Sequence, residues 1–259
     1  MGMTPQQTPK VKSADRVLDI FELFTGEKDS YNLTEISKSL NMPPSSTYVI
    51  LQNMLNRGYL ETDRSGKQFR IGYKLFTIRS GYMRSTSLTG EFNQVAEKIV
   101  ADLNETVSLA IKAGDHLLYI GEKASNHALR FTPNMGTTLP LHATASGKVM
   151  LADFTLEELR ALYPSDRLEK MTDKTISSFP ELLMELDRVR KQGFGYNMGE
   201  TVAGVHCVAG PVVDADGRAA ASISISIPVV RITDGVWERV HDWIRRACEE
   251  LSVKVYRQQ

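Results

Sequence analysis

The side chains with most capacity for chemistry lie in one run, Gly193–Ser226, which holds Asn197, Glu200, His206, Cys207 and the alternating Ser222, Ser224 and Ser226. A cysteine beside a histidine suggests a nucleophile and its base. Adjacent residues on a strand point to opposite faces, so His206 and Cys207 make no working pair. His142 would have to reach in from a helical segment, and no carboxylate to orient it is evident. A free cysteine on a core strand is more often a small apolar filler. The three serines alternate with Ile223, Ile225 and Ile227, which gathers the hydroxyls on one face and turns the isoleucines to the core. That pattern fits a solvated sheet face. With Cys207 on a neighbouring strand it also fits the wall of a small polar ligand site. A small-molecule enzyme using Cys207 as nucleophile is the alternative to a binding site.

The segment LHATASGKV (141–149) invites comparison with a phosphate loop. That motif needs Gly five residues before its Gly-Lys pair and Ser or Thr after it; His142 and Val149 stand there instead. What survives is Ala145-Ser146-Gly147, small residues opening a helix whose N–H groups suit an anion or a carbonyl. Two cysteines, Cys207 and Cys248, give neither a disulfide framework nor metal-ligand spacing. The expectation is no metal, no cofactor and a reducing cytoplasm.

A second cluster, Ser45-Ser46-Thr47-Tyr48, precedes a helical stretch to Asn56. Hydroxyls and free N–H groups at a helix start suit phosphates and base edges. Arg64, Lys67 and Arg70 flank a hairpin tip at Asp63–Lys67 and offer charge to a DNA backbone. The elements in order are a helix capped at Ser13 and stopped by Gly26, a short helix opened by Asn32–Glu35, a turn at Asn41–Pro44, a helix capped by Ser45 or Ser46, and two short strands. This is the order of a winged helix-turn-helix; a small helical bundle with a solvated hairpin would look similar.

Beyond a connecting segment near 75–90, an amphipathic helix places Phe92, Val95, Ala96, Ile99, Val100 and Leu103 on one face. Strands are expected at Thr106–Ala113, His116–Lys123 and Ala128–Thr132. Helices follow at Ala143–Leu151, from a Thr155–Glu158 capping box, and at Pro180–Gln192, closed by Gly193. Strands return at Phe194–Met198, Val205–Val213 and Arg218–Pro228, before a last helix over Val236–Val255. Strands in pairs with helices grouped between them predict an α+β domain on a mainly antiparallel sheet.

Bulk numbers agree. With 259 residues, 42% hydrophobic and 24% charged, the chain has the composition of a soluble globular protein large enough for two cores. No apolar run approaches the ~20 residues of a membrane span, and the N-terminus lacks the apolar stretch of a signal peptide. The formal net charge is zero, yet residues 1–88 hold 12 Lys/Arg against 8 Asp/Glu. Attraction for phosphate therefore lies at the N-terminal end.

Three segments resemble the IclR family of bacterial transcriptional regulators: Ser13–Arg16 with Leu33–Leu60, PLHATASGKVMLA (140–152), and Gly193–Asp214, in which Gly193, Asn197, Glu200, Cys207 and Asp214 keep the family's intervals. The resemblance implies a flexible arm (1–12), a winged helix-turn-helix (13–74), a linker helix (75–90) and a GAF-like effector and oligomerisation domain (91–259). It implies a cytoplasmic homodimer or homotetramer that binds a palindromic operator, answers to a small organic acid or aromatic effector, and has no membrane partner. The effector would meet Ala145, Ser146, Asn197, Cys207, Ser224 and Ser226, with Ala128, Phe131, Leu139 and Val205 as the apolar wall. Two residues depart from the pattern: Asn197 stands where many members have Asp, and Ile50 where many have Arg. DNA contacts are therefore expected from Ser46, Thr47, Gln52 and the wing.

Overall fold

The computed structural model describes residues 11–26, 28–78 and 88–257. The chain forms two compact units, Met1–Ser85 and Thr86–Gln259. The expected arm falls almost wholly outside the described residues, as does the middle of the expected linker helix.

The first unit contains α1 (Lys12–Leu23), β1 (Tyr31–Asn32), α2 (Leu33–Ser39), α3 (Pro44–Asn56), β2 (Leu60–Thr62), β3 (Gln68–Ile71) and a helical stretch α4 over 73–78. Its antiparallel sheet runs β1-β3-β2. Ile20, Ile36, Leu51, Met54, Leu60 and Phe69 form the core. Asn32 and Glu35 make a complete capping box at α2. Two expected caps are corrected. Ser13 lies inside α1, which starts after Val11 without a side-chain cap. Pro43 and Pro44, which lack N–H groups, start α3 one residue before Ser45, because a proline costs nothing where the helix has no N–H to satisfy.

The second unit is built on a six-stranded antiparallel sheet in the order β6-β5-β4-β9-β8-β7. Its strands are β4 (Thr106–Ala113), β5 (His116–Lys123), β6 (Thr138–Pro140), β7 (Gly195–Met198), β8 (Val205–Val213) and β9 (Ala219–Pro228). The isoleucine face, with Val107, Leu109 and Val208, packs on α5 (Leu88–Leu103) and α9 (Val236–Ser252). The opposite face is covered by α6 (Ala145–Leu151), α7 (Leu156–Leu162) and α8 (Phe179–Gln192). Both faces are thus dry: Ser222, Ser224 and Ser226 are buried, not solvated.

Gly193 ends α8 in the left-handed region at φ 75°. Gly195 lets α6 rest on β7, where any side chain would strike the Ala145 carbonyl. The strand expected at Ala128–Thr132 is absent; that stretch is irregular, and β5 pairs instead with Thr138–Pro140. Just before it, the Ser125 and Asn126 N–H groups bond Thr106 Oγ1 and Asn104 Oδ1, so side chains satisfy the backbone that follows β5.

Candidate effector site and DNA-binding surface

The register fixes the composition of the serine face. Cys207 lies opposite Ser226 and Ala209 opposite Ser224, while Thr106 and Ser108 of β4 face Ser226 and Ser224 from the other side. Cys207 Sγ is 3.2 Å from Ser226 Oγ. Asn197 pairs with Cys207 in the register of β7 and β8. Against this face α6 lays Ala145, which packs with Cys207 and Ala209. Ser146 precedes Met150 by one turn, and Met150 packs with Ala110, Leu117 and Tyr119. Ser146 therefore looks toward β4 and β5.

Two hydroxyls here have no partner. Ser108 Oγ and Ser146 Oγ are both buried and without a hydrogen bond, a state that costs about 1–3 kcal/mol per group if nothing relieves it. Thr144 caps α6 by accepting from Gly147 N–H at 2.9 Å. The helix is only seven residues long, so its dipole is small.

The remaining residues are placed less uniformly. Leu139 and Val205 are half-buried and pack against the clusters that flank the face. Phe131 is half-buried and Ala128 exposed, both in the irregular stretch, so Ala128 adds nothing to an apolar wall. Asn197 is placed by the fold, with no capacity left over. Its amide nitrogen donates to Ala143 O at 3.0 Å and Thr201 Oγ1 at 2.8 Å. Its oxygen accepts from the N–H groups of Gly199 at 3.0 Å and Glu200 at 2.7 Å. Both donors and both acceptor sites are used within the fold, and the side chain shapes the 197–201 turn.

The nucleophile reading fails on the same geometry. Burial pushes the Cys207 thiol up to about 11, away from the reactive range. His206 stacks on Trp237. His142 Nε2 is 2.8 Å from Glu169 O, and burial lowers its pKa. Among the described residues, no group of three His, Cys, Asp or Glu side chains could hold a metal ion.

One constellation has no counterpart in the sequence reading. Lys148, 1% exposed, donates to Glu200 Oε1 at 2.6 Å and Tyr196 O at 2.8 Å, with Glu185 Oε1 at 3.5 Å. It pins α6 to β7 and α8. Arg231 likewise makes two 2.6 Å bonds to the buried Glu105 and a third to Leu129 O, which anchors the irregular stretch.

In the first unit, Ser45 and Tyr48 are exposed at the start of α3 and Gln52 is half-buried. Ser46 Oγ donates to Pro43 O at 3.0 Å. Thr47 does not fit the expectation: it is wholly buried, with Oγ1 donating to Pro43 O, so it holds the turn and offers nothing to DNA. Ile50 packs against the core and is no contact either. At the wing tip, Asp63 accepts from Ser65 Oγ and from the N–H groups of Lys67 and Gln68, and these bonds, that from Ser65 first, lower its pKa. Arg64 and Lys67 are exposed; Arg70 is paired with Glu61 at 3.1 Å. A cleft of about 460 Å³ separates Leu33, Thr34 and Tyr48 from Lys67 and Gln68 of the wing.

Comparison with known proteins decides the family. A model described as the bacterial transcriptional regulator IclR C-terminal matches residues 80–253. One described as the IclR helix-turn-helix domain matches residues 13–64. The chain belongs to the IclR family. Among IclR-family relatives, it is 30% identical to the HTH-type transcriptional regulator BhcR of Paracoccus denitrificans over 97% of this chain and 90% of that one. It is 31% identical to the regulator KdgR of Dickeya chrysanthemi, covering 92% and 77%. The crystal structure of Thermotoga maritima IclR aligns with a TM-score of 0.75 at 26% identity, over 94% of this chain and 98% of that one. An IclR homologue from Microbacterium hydrocarbonoxydans, complexed with 4-hydroxybenzoate, shares the fold at TM-score 0.83 and 20% identity, covering 93% and 98%. The chain is a transcriptional regulator with a helix-turn-helix domain and an IclR C-terminal domain. No described helix is long and apolar enough to cross a membrane.

Proposed function

We propose that this IclR-family protein is a cytoplasmic, effector-responsive regulator that binds a palindromic operator as a dimer or tetramer. In this reading residues 13–74 bind DNA through Ser45, Ser46, Tyr48, Gln52, Arg64 and Lys67, with Arg70 contributing once released from Glu61. Residues 75–90 link them to an effector domain at 91–259. The effector is a small organic acid or aromatic held between the serine face and α6. The observation that carries this is the pair of buried, unpartnered hydroxyls, Ser108 Oγ and Ser146 Oγ, beside Ser224, Ser226 and Tyr119. A ligand carboxylate or phenol would satisfy them. The relative crystallised with 4-hydroxybenzoate supports the ligand class.

A ligand that binds the folded state raises the melting temperature by mass action. Melting the protein with a panel of organic acids and hydroxybenzoates tests the reading. At least one should raise the transition in the wild type and lose that effect in Ser224→Leu, which fills the face. A panel without a single shift sinks it.

A further inference from the structure

A second cleft, of about 500 Å³, opens at the free edge of β7, between α8 and residues 170–177. Its inner wall is the Lys148–Glu200–Glu185 cluster. Glu185 is shared between Lys148 and Arg188, and Glu200 Oε1 takes the Lys148 ammonium. Glu200 has a side chain only 8% exposed, and its Oε2 is buried without a hydrogen-bond partner. Desolvation raises the pKa of this carboxyl, with Lys148 opposing and the like charge of Glu185 adding to the rise. At the rim Lys174, a lining residue, has no carboxylate within ion-pair distance among the described residues, while Lys170 is paired with Asp173, Arg188 with Glu185, and Glu181 is exposed.

A buried acceptor at the bottom and an unpaired cation at the mouth are complementary to a molecule charged in the opposite order. We propose that this cleft binds a small zwitterion, an amino acid or ω-amino acid, whose ammonium group donates to Glu200 Oε2 and whose carboxylate meets Lys174. The site is distinct from the serine face and does not depend on the function proposed above. It is nevertheless tied to that face, because Asn197 Oδ1 holds the Glu200 N–H and Lys148 belongs to α6.

Calorimetry on the full chain tests it, with glycine, γ-aminobutyrate and L-glutamate as zwitterions and methylammonium and acetate as half-molecules. At least one zwitterion should saturate at one per chain, more tightly by roughly tenfold than either half-molecule. Lys174→Glu, at an exposed position, should weaken it about threefold to fivefold. Glu200→Gln should weaken it by more than about tenfold, through loss of a charge-assisted bond. Ser224→Leu should leave it intact. The proposal is overturned if no zwitterion saturates at millimolar concentration or if methylammonium binds as well as the zwitterions. It is equally overturned if binding survives Lys174→Glu unchanged or disappears in Ser224→Leu. Should Glu200→Gln fail to fold, the Lys174 and Ser224 variants decide alone.

Discussion

Replacing Lys148 by Met removes the cation that holds α6 to its neighbours while keeping nearly the same side-chain length. Glu200, 8% exposed, and Glu185, 16% exposed, would then be carboxylates with no buried counter-charge, and the Tyr196 carbonyl would lose its 2.8 Å donor. Breaking one partner out of a buried pair costs about 3–5 kcal/mol. For a unit of this size that is a fall in melting temperature on the order of 10 °C. Both tryptophans, Trp237 and Trp243, lie in α9, so urea unfolding followed by tryptophan fluorescence reports on the second unit specifically. The loss should depend on pH with a definite sign. Burial already raises the Glu200 pKa with Lys148 opposing; without the lysine it rises further. A carboxyl whose folded pKa lies above its unfolded value of about 4.3 contributes stability that is complete below that value and is lost as pH rises through the folded pKa. The Lys148→Met deficit should therefore be smallest in mild acid and largest near neutrality and above. A loss below about 1 kcal/mol, or a deficit that grows on acidification, would refute the buried ion cluster as the clamp on α6.

Three further outcomes follow from the same structure. Arg64→Ala with Lys67→Ala should weaken binding to every DNA sequence and flatten the salt dependence, by a slope of about 1.8 if both contact phosphates; an unchanged slope in gel shifts counts against the wing. Cys207 and Cys248, with burial raising their thiols to about 11 and about 12, should resist a thiol reagent at pH 8 until the protein is unfolded; stoichiometric labelling of the native state would contradict this. Asn197→Ala should cost on the order of 3 kcal/mol, because it orphans the Gly199 and Glu200 N–H groups and Ala143 O. An Asn197→Ala protein with wild-type stability would return that residue to the list of ligand contacts.

Local patterns were legible because their causes are local. The alternation in β4, β5, β8 and β9, the boxes at Asn32–Glu35 and Thr155–Glu158, and the left-handed Gly193 each depend on residues a few positions apart. Cys207 beside the serines was also readable, since the β8–β9 turn sets their register. What escaped depends on pairs distant in sequence. Lys148 and Glu200 are 52 residues apart, and Arg231 and Glu105 are 126 apart. Nothing in either string says that such charges will be buried together. The four bonds of Asn197 to residues 143, 199, 200 and 201 were not legible either, because an amide's partners cannot be read from its type. Residues 128–132 have the composition of a strand, yet the stretch is irregular, with Leu129 O taken by the distant Arg231, and β5 pairs with β6 further on.

The central claim is that occupancy of the serine face changes the grip on DNA. Its most direct test is fluorescence anisotropy at fixed salt, using an operator fragment selected with the protein itself. The titration is repeated with and without the organic acid that raises the melting temperature, in wild type and in Ser224→Leu. The account predicts a change in DNA affinity of about 5- to 150-fold in the wild type and none in the variant. An acid that binds but leaves DNA affinity untouched, or acts equally on the variant, would contradict it.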